Sequence, residues 1–130
     1  MKFKFNNGTE IEYIRILHDS EFIDGARRST MEILCPINAM SVDSLNTILS
    51  DGNNTQRVVT GDGTQVAVFD DFVIKIKCGV ERKQVKAETP DAPAKYTDML
   101  VFKLGRLTYQ EKQNMVSMKE LEAIKAKLGL

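Results

Sequence analysis

At Thr108 the sequence changes its period, and that change limits the folds open to the chain. Before Thr108, apolar residues come in short alternating runs broken by Gly, Pro, Asn and Asp clusters, the pattern of strands and turns. The last 23 residues instead read Thr-Tyr-Gln-Glu-Lys-Gln-Asn-Met-Val-Ser-Met-Lys-Glu-Leu-Glu-Ala-Ile-Lys-Ala-Lys-Leu-Gly-Leu, with apolar residues at helical spacing. Thr108 and Glu111 have the spacing of a capping box, in which a hydroxyl and a carboxylate three residues on each bond an otherwise unpaired amide. Gly129 stands where a helix end favours a residue free to take positive φ. A β region must therefore carry a terminal helix, and the helix must find cover for its apolar stripe.

A chain of 130 residues is one ordinary domain, long enough for its own core. With 42% hydrophobic and 28% charged residues it has the composition of a folded protein. The 18 basic and 18 acidic residues cancel, so nothing pulls the chain over long range toward nucleic acid or anionic lipid. Zero net charge also does little to hold copies apart. No apolar run approaches the roughly 20 residues that span a membrane, and Met-Lys-Phe-Lys-Phe opens no signal peptide. A soluble protein, intracellular when made, is expected.

Lys2 to Phe5 and Glu10 to Leu17 read as a hairpin around Asn6-Asn7-Gly8-Thr9. His18 to Ser29 reads as a loop or broken strand. Thr30 to Cys35 is a strand with Met31, Ile33 and Cys35 on one face, ended by Pro36. Ser41 to Ser50 switches to helical spacing, with Ser41 as N-cap, Asp43 at the positive end of the dipole and Val42, Leu45, Ile48 and Leu49 on one face. Gln56 to Thr60 and Thr64 to Phe69 are strands around Gly61-Asp62-Gly63. After an Asp70-Asp71 turn, Phe72, Ile74, Ile76, Cys78 and Val80 alternate along one face of a strand that can run on to Lys86. Tyr96 to Leu104 returns from a Thr89–Ala94 loop, making a second hairpin with a projecting tip. Short, evenly spaced strands imply an antiparallel β sandwich or small barrel, mainly β within the α+β class, with one short inserted helix near 42–50 and a C-terminal α-helix. The β domain spans 1–107, and 108–130 is a helix within the same domain or an assembly arm.

The residues offer little catalytic chemistry. His18 is the only histidine, and its neighbours Asp19 and Ser20 alternate in direction on an extended chain. Asp51, Asp62, Asp70 and Asp71 lack the ligand order of a calcium loop and suit turns. Gly61-Asp62-Gly63 lacks the Lys-Ser/Thr of a phosphate loop. Lys2 and Lys4 alternate with Phe3 and Phe5, the pattern of charges out and aromatics in rather than of a nucleic-acid stacking platform. Cys35 and Cys78 form no metal-ligand spacing and read as buried thiols, with a disulfide left open. No catalytic residue, metal or cofactor is expected. Met115, Met118, Leu121, Ile124 and Leu128 line the terminal helix. Ser117, Leu121, Ile124 and Leu128 fall at coiled-coil seam positions over about two heptads, short of a full coiled coil. The stripe can cover its own domain or dock onto another subunit.

Three stretches carry a resemblance: Met-Lys-Phe-Lys-Phe followed by Gly8-Thr9, Gly25-Ala26-Arg27-Arg28 leading into Met31-Glu32-Ile33, and Thr108-Tyr109-Gln110-Glu111-Lys112-Gln113. In layout the chain resembles small uncharacterised proteins of phages and prophages of Gram-positive bacteria, found among tail and baseplate genes. The terminal helix is more lysine-rich here than in those proteins. The resemblance implies a non-enzymatic structural or assembly component, made in the bacterial cytoplasm and carried in the virion. Its partners would be copies of itself and other tail or baseplate proteins, with no nucleic acid or membrane partner. Contact residues would be Met118, Leu121, Ile124 and Leu128 on the helix and Pro90 and Pro93 at the hairpin tip. The Asp19–Ser29 loop and open strand edges would add contact surface. The alternative is a small-ligand or carbohydrate-binding β module, although a chain without tryptophan and with three tyrosines has few stacking platforms.

Overall fold

A computed structural model describes the backbone of residues 1–128, and the side chains of these except at positions 85, 86, 116, 117, 124 and 126–128. The expected cap Gly129 lies outside the described residues, as do the side chains of Ile124 and Leu128. The elements are β1 (Lys2–Lys4), β2 (Glu10–Glu12), β3 (Arg15–Ile23), β4 (Ala26–Pro36), α1 (Val42–Leu49), a 3-10 turn (Gly52–Thr55), β5 (Arg57–Gly61), β6 (Val66–Asp70), β7 (Ile74–Lys86), β8 (Lys95–Gly105) and α2 (Tyr109–Leu128). Two four-stranded sheets, ordered β2-β1-β5-β6 and β3-β4-β8-β7, are antiparallel throughout and form a sandwich, not a closed barrel.

The first hairpin forms as expected, with Gly8 at φ 91° and Lys2 opposite Glu12. Its return strand is shorter than expected. Tyr13 N–H still donates to Met1 of the first sheet, whereas Ile14 N–H donates to Leu34 of the second. The chain changes sheet between these two residues, so Glu10 to Leu17 is two strands rather than one.

The stretch His18 to Ser29, expected as a loop or broken strand, is instead part of a continuous hairpin of β3 and β4, paired from Arg15↔Leu34 to Ile23↔Ala26. Asp24 (φ 52°) and Gly25 (φ 80°) form its two-residue turn. Positive φ at both positions matches the right-handed twist of the strands, and Asp-Gly is a sequence that supplies it. The polar residues of β3 line an edge strand with one solvated side, so their polarity does not argue against a strand.

β7 departs from the expected single apolar face. Its register against β8 shifts between Lys75 and Lys77, a bulge at Ile76. An extra residue reverses the alternation. Cys78 therefore joins the core opposite Phe102, while Ile74 sits opposite Gly105.

Phe3, Phe5 and Phe102 meet at the centre of the sandwich, with Phe3 edge-on to Phe102 at 5.2 Å between centroids. Met31, Ile33, Leu100 and Leu104 extend this core on one sheet, Ile11 and Val58 on the other. Lys2 and Lys4 point outward, as the alternation requires. α1 begins at Ser41, whose hydroxyl accepts from Ser44 N–H at 3.1 Å, and it buries Leu45 and Leu49 against the core. Cys35 on β4 and Cys78 on β7 are both free, with β8 between them. Two strand spacings, about 9.5 Å, exceed the reach of a disulfide.

Candidate assembly interface at the helix junction

The capping box expected at Thr108 is present. Thr108 N–H donates to Glu111 Oε1 at 2.9 Å, and Glu111 N–H donates to Thr108 Oγ1 at 3.2 Å. The same carboxylate receives a second partner that sequence spacing does not reveal. Arg28 Nη1 donates to Glu111 Oε1 at 2.7 Å and Nη2 to Oε2 at 3.3 Å. The Arg28 side chain is fully buried, and its remaining donors reach the carbonyls of Ile23 and Arg106, each at 2.9 Å. One guanidinium thus ties together the end of β3, the strand-to-helix connection and the first turn of α2. A planar fork suits this task, since its donors reach several acceptors in fixed directions.

Two neighbouring residues make room for and reinforce the anchor. A Cβ on Gly105 would come within 3.0 Å of Arg28 Cδ, so glycine there clears the path of the arginine. Lys112 Nζ pairs with Asp71 Oδ2 at 2.8 Å, linking the same turn of α2 to the β6–β7 connection. Asp71 holds φ at 70°, the left-handed region that aspartate tolerates better than most residues. The Arg28 guanidinium and the Thr108 amide hold the Glu111 carboxyl down at about 2, against an ordinary 4.5.

Beyond this anchor, the described side chains of α2 are only partly covered by the sandwich. Every described side chain of α2 except Glu111 is exposed, including Tyr109, Met115, Met118 and Leu121, the last two 64% and 53% exposed. A cleft of about 350 Å³ opens beside the helix, lined by Asp51, Gln56, Asp71, Leu107, Lys112 and Met115 among others.

Other exposed surfaces lie on the sandwich itself. Pro90 and Pro93 lie exposed at the β7–β8 tip, where Thr89 and Ala92 bridge. Phe22, 71% exposed, stands near the turn of the β3–β4 hairpin. β6 is an edge strand exposing Val66 and Val68. On the outer face of the β4 sheet, Lys77 and Lys83 pair with Glu32 at 2.9 and 3.1 Å above a small cluster of Leu34, Met99 and Val101. Burial pushes the Glu32 carboxyl up, but hydrogen bonds from the two lysines outweigh it and leave it below its ordinary value. His18 on β3 lies against Phe69 on β6, the rings tilted by 35° with 5.3 Å between centroids. Among the described residues no group of three or more His, Cys, Asp or Glu could hold a metal ion, and no helix is long and apolar enough to cross a membrane. No family model, curated protein or solved structure matches the chain.

Proposed function

We propose that the chain is a non-enzymatic structural or assembly component of a phage or prophage tail or baseplate, acting through protein–protein contacts. The observation that best supports this reading is the contrast within α2. Its first turn is fixed by a buried arginine, whereas Met118 and Leu121 beyond it are more than half exposed. A helix held at one end, whose described apolar side chains beyond that end are exposed, is suited to cover another protein. The exposed β6 edge and the proline tip of β7–β8 are secondary contact surfaces of the same kind. Partners are copies of the chain and neighbouring tail or baseplate proteins, and the destination is the virion.

Mass spectrometry of particles purified from the strain that encodes the chain tests this. The expected result is a stoichiometric number of copies per particle, lost on changing Met118 and Leu121 to serine while the soluble chain stays folded. Particles complete without the chain would overturn the proposal. The ligand-binding alternative draws on the cleft beside α2, and a specific sugar that raises the thermal midpoint would favour it.

A further inference from the structure

We propose that the free edge of β6 receives an extended segment of another protein, which joins the first sheet as a fifth strand and covers the overhang that carries Phe22. The proposal rests on the reading of this edge as a contact surface and deepens it by naming the binding mode and the chemistry of the occupant. The two sheets present four edges, β2, β6, β3 and β7. Three of them are blunted in the ways that keep edges from pairing. β2 has only three residues, two of them glutamates. β3 carries Arg15, His18, Asp19 and Glu21. β7 carries Lys75, Lys77 and Lys83, and its register against β8 shifts twice. β6 has none of these devices. It reads Val-Ala-Val-Phe-Asp and pairs with β5 without a break from Arg57↔Asp70 to Gly61↔Val66. Its single charge, at the end of the strand, is held by Arg57 at 3.0 Å. Such an edge offers unpaired amides and carbonyls to an incoming strand.

A second observation places that strand. Ile16, His18, Ser20 and Phe22 share one face of β3, opposite Ile33, Met31, Ser29 and Arg27 of β4. This is the core face: Ile33 and Met31 are fully buried, and Ile16 packs against the core. His18 meets Phe69 of β6, the last strand of the first sheet. Past that contact the same face comes into solvent, with Ser20, Ser29 and Arg27 exposed and Phe22 71% exposed. The hairpin thus carries its inward face beyond the sheet that covers it. A cleft of about 340 Å³ lies at this step, bounded by Val68, Phe69 and Asp70 of β6 and by His18 and Ser29 of the hairpin. One strand added to β6 extends the cover by about 4.8 Å and sets its inward side chains over the overhang.

The charges select the occupant. Arg27 stands directly opposite Phe22, and Arg106 borders the cleft. Among the described residues neither pairs with a carboxylate; their guanidinium groups donate to the carbonyls of Ser20 and Asp70. Asp19, which also borders the cleft, belongs to the other face of β3, opposite Thr30. The complementary segment therefore carries an apolar side chain for Phe22 and a carboxylate for Arg27 on its inward face. A second copy pairing through its own β6 brings no free carboxylate, because its Asp70 is held by its own Arg57. The occupant is a segment of a different chain.

A yeast-displayed library of random peptides, roughly ten residues long to match the longer strands of globular proteins, selected on the purified full chain, tests this. Enriched peptides are expected to share alternating apolar positions and an Asp or Glu, and to slow amide exchange over residues 66–70 when bound. Phe22→Ser, Arg27→Glu and Ala67→Lys all replace exposed residues, and circular dichroism should show the fold intact. The last of them sets a charge on the inward side of the edge strand. Each should weaken binding of an enriched peptide roughly tenfold or more. Exchanging the peptide's acid for lysine should restore binding to Arg27→Glu and to no other variant. No enrichment, or enriched peptides that bind all three variants like the unchanged chain, would overturn the proposal. Self-association of the full chain, seen by light scattering and lost in Ala67→Lys, would also overturn it and give the edge to a second copy. None of these results touches the tail reading, which is decided by whether the chain is present in particles.

Discussion

Arg28 and Glu111 are 83 positions apart in sequence and 2.7 Å apart at their nearest donor and acceptor. The arginine is wholly inside and the glutamate about one-third exposed, so the pair joins an interior cation to a helix that runs outward. Removing the carboxylate leaves a buried guanidinium with only the Ile23 and Arg106 carbonyls as acceptors. We expect Glu111→Ala to lower stability by about 2 kcal/mol, the usual scale for a hydrogen bond to a charged group in a partly buried site. Glu111→Gln keeps the capping-box geometry and should cost less. Urea denaturation gives the order, and amide exchange over residues 109–114 should speed up in both variants. Equal stability of Glu111→Ala and the unchanged chain would show that the anchor contributes nothing.

The same pair gives the fold an acid-sensitive component. A carboxyl whose pKa is lower in the folded state stabilises that state fully above its unfolded value and loses the contribution as pH falls through the folded value. For Glu111 those limits are 4.5 and about 2. Asp62, held at about 2 by the Gln65 amide, the Thr64 hydroxyl and the Thr64 amide, loses its contribution over a narrower window, from an ordinary 3.8 to about 2. Thermal midpoints of the unchanged chain and Glu111→Gln should therefore converge as pH drops from about 4.5 to about 2. A difference that stays constant across this range would show that ionisation of Glu111 is not what the variant removes.

Gly105 is small because of what crosses over it. Gly105→Ala places a methyl 3.0 Å from Arg28 Cδ and 3.4 Å from Ile76 Cδ1. Arg28 cannot swing aside without lengthening its bonds to Ile23, Arg106 and Glu111. A cost of about 1–2 kcal/mol is expected, in the range of overpacked sites. An alanine variant as stable as the unchanged chain, measured in urea, would show slack in the anchor.

The parts of the fold legible in the sequence are those governed by neighbours along the chain. Ser41 and Thr108 announce their helices because a cap acts within one turn. Lys2-Phe3-Lys4-Phe5 announces its inward face because strand alternation is local. What escaped depends on distant partners. The crossing at Tyr13 is set by which strand each amide finds, and the bulge at Ile76 by the register against β8. The polar β3 concealed a strand, although Asp24-Gly25 was a readable hairpin signal. The burial of Arg28 is not legible locally, since nothing near it in sequence shows a carboxylate 83 positions away. Exposure of Met118 and Leu121 could not be read either, because a helical stripe does not say what covers it.

The two thiols should differ in reactivity. Burial pushes Cys35 up to about 12, and burial also raises Cys78, which is only half-buried. The reactive species is the thiolate and it must be reached by reagent. In the folded chain a disulfide reagent should label Cys78 first and slowly, with Cys35 reacting only as fast as the sandwich opens. Raising urea should accelerate Cys35 far more than Cys78. Simultaneous labelling of both in native buffer would mean that the β4–β8 layer opens locally.

The last prediction separates the interior from the exposed helix within one chain. Phe102 is fully buried and touches Phe3 and Phe5 across the two sheets. Phe102→Ala removes that contact and opens a cavity, for which about 3–5 kcal/mol is typical. This is a large share of the 5–15 kcal/mol that holds an ordinary domain together. Met118→Ser and Leu121→Ser remove apolar groups already in solvent and should change unfolding of the separate chain by less than about 0.5 kcal/mol. Urea unfolding at low protein concentration, where copies are apart, is the measurement. If the two serine variants instead unfold several kcal/mol more easily under those conditions, the helix stabilises its own sandwich, and the case for α2 as a surface kept for another protein is lost.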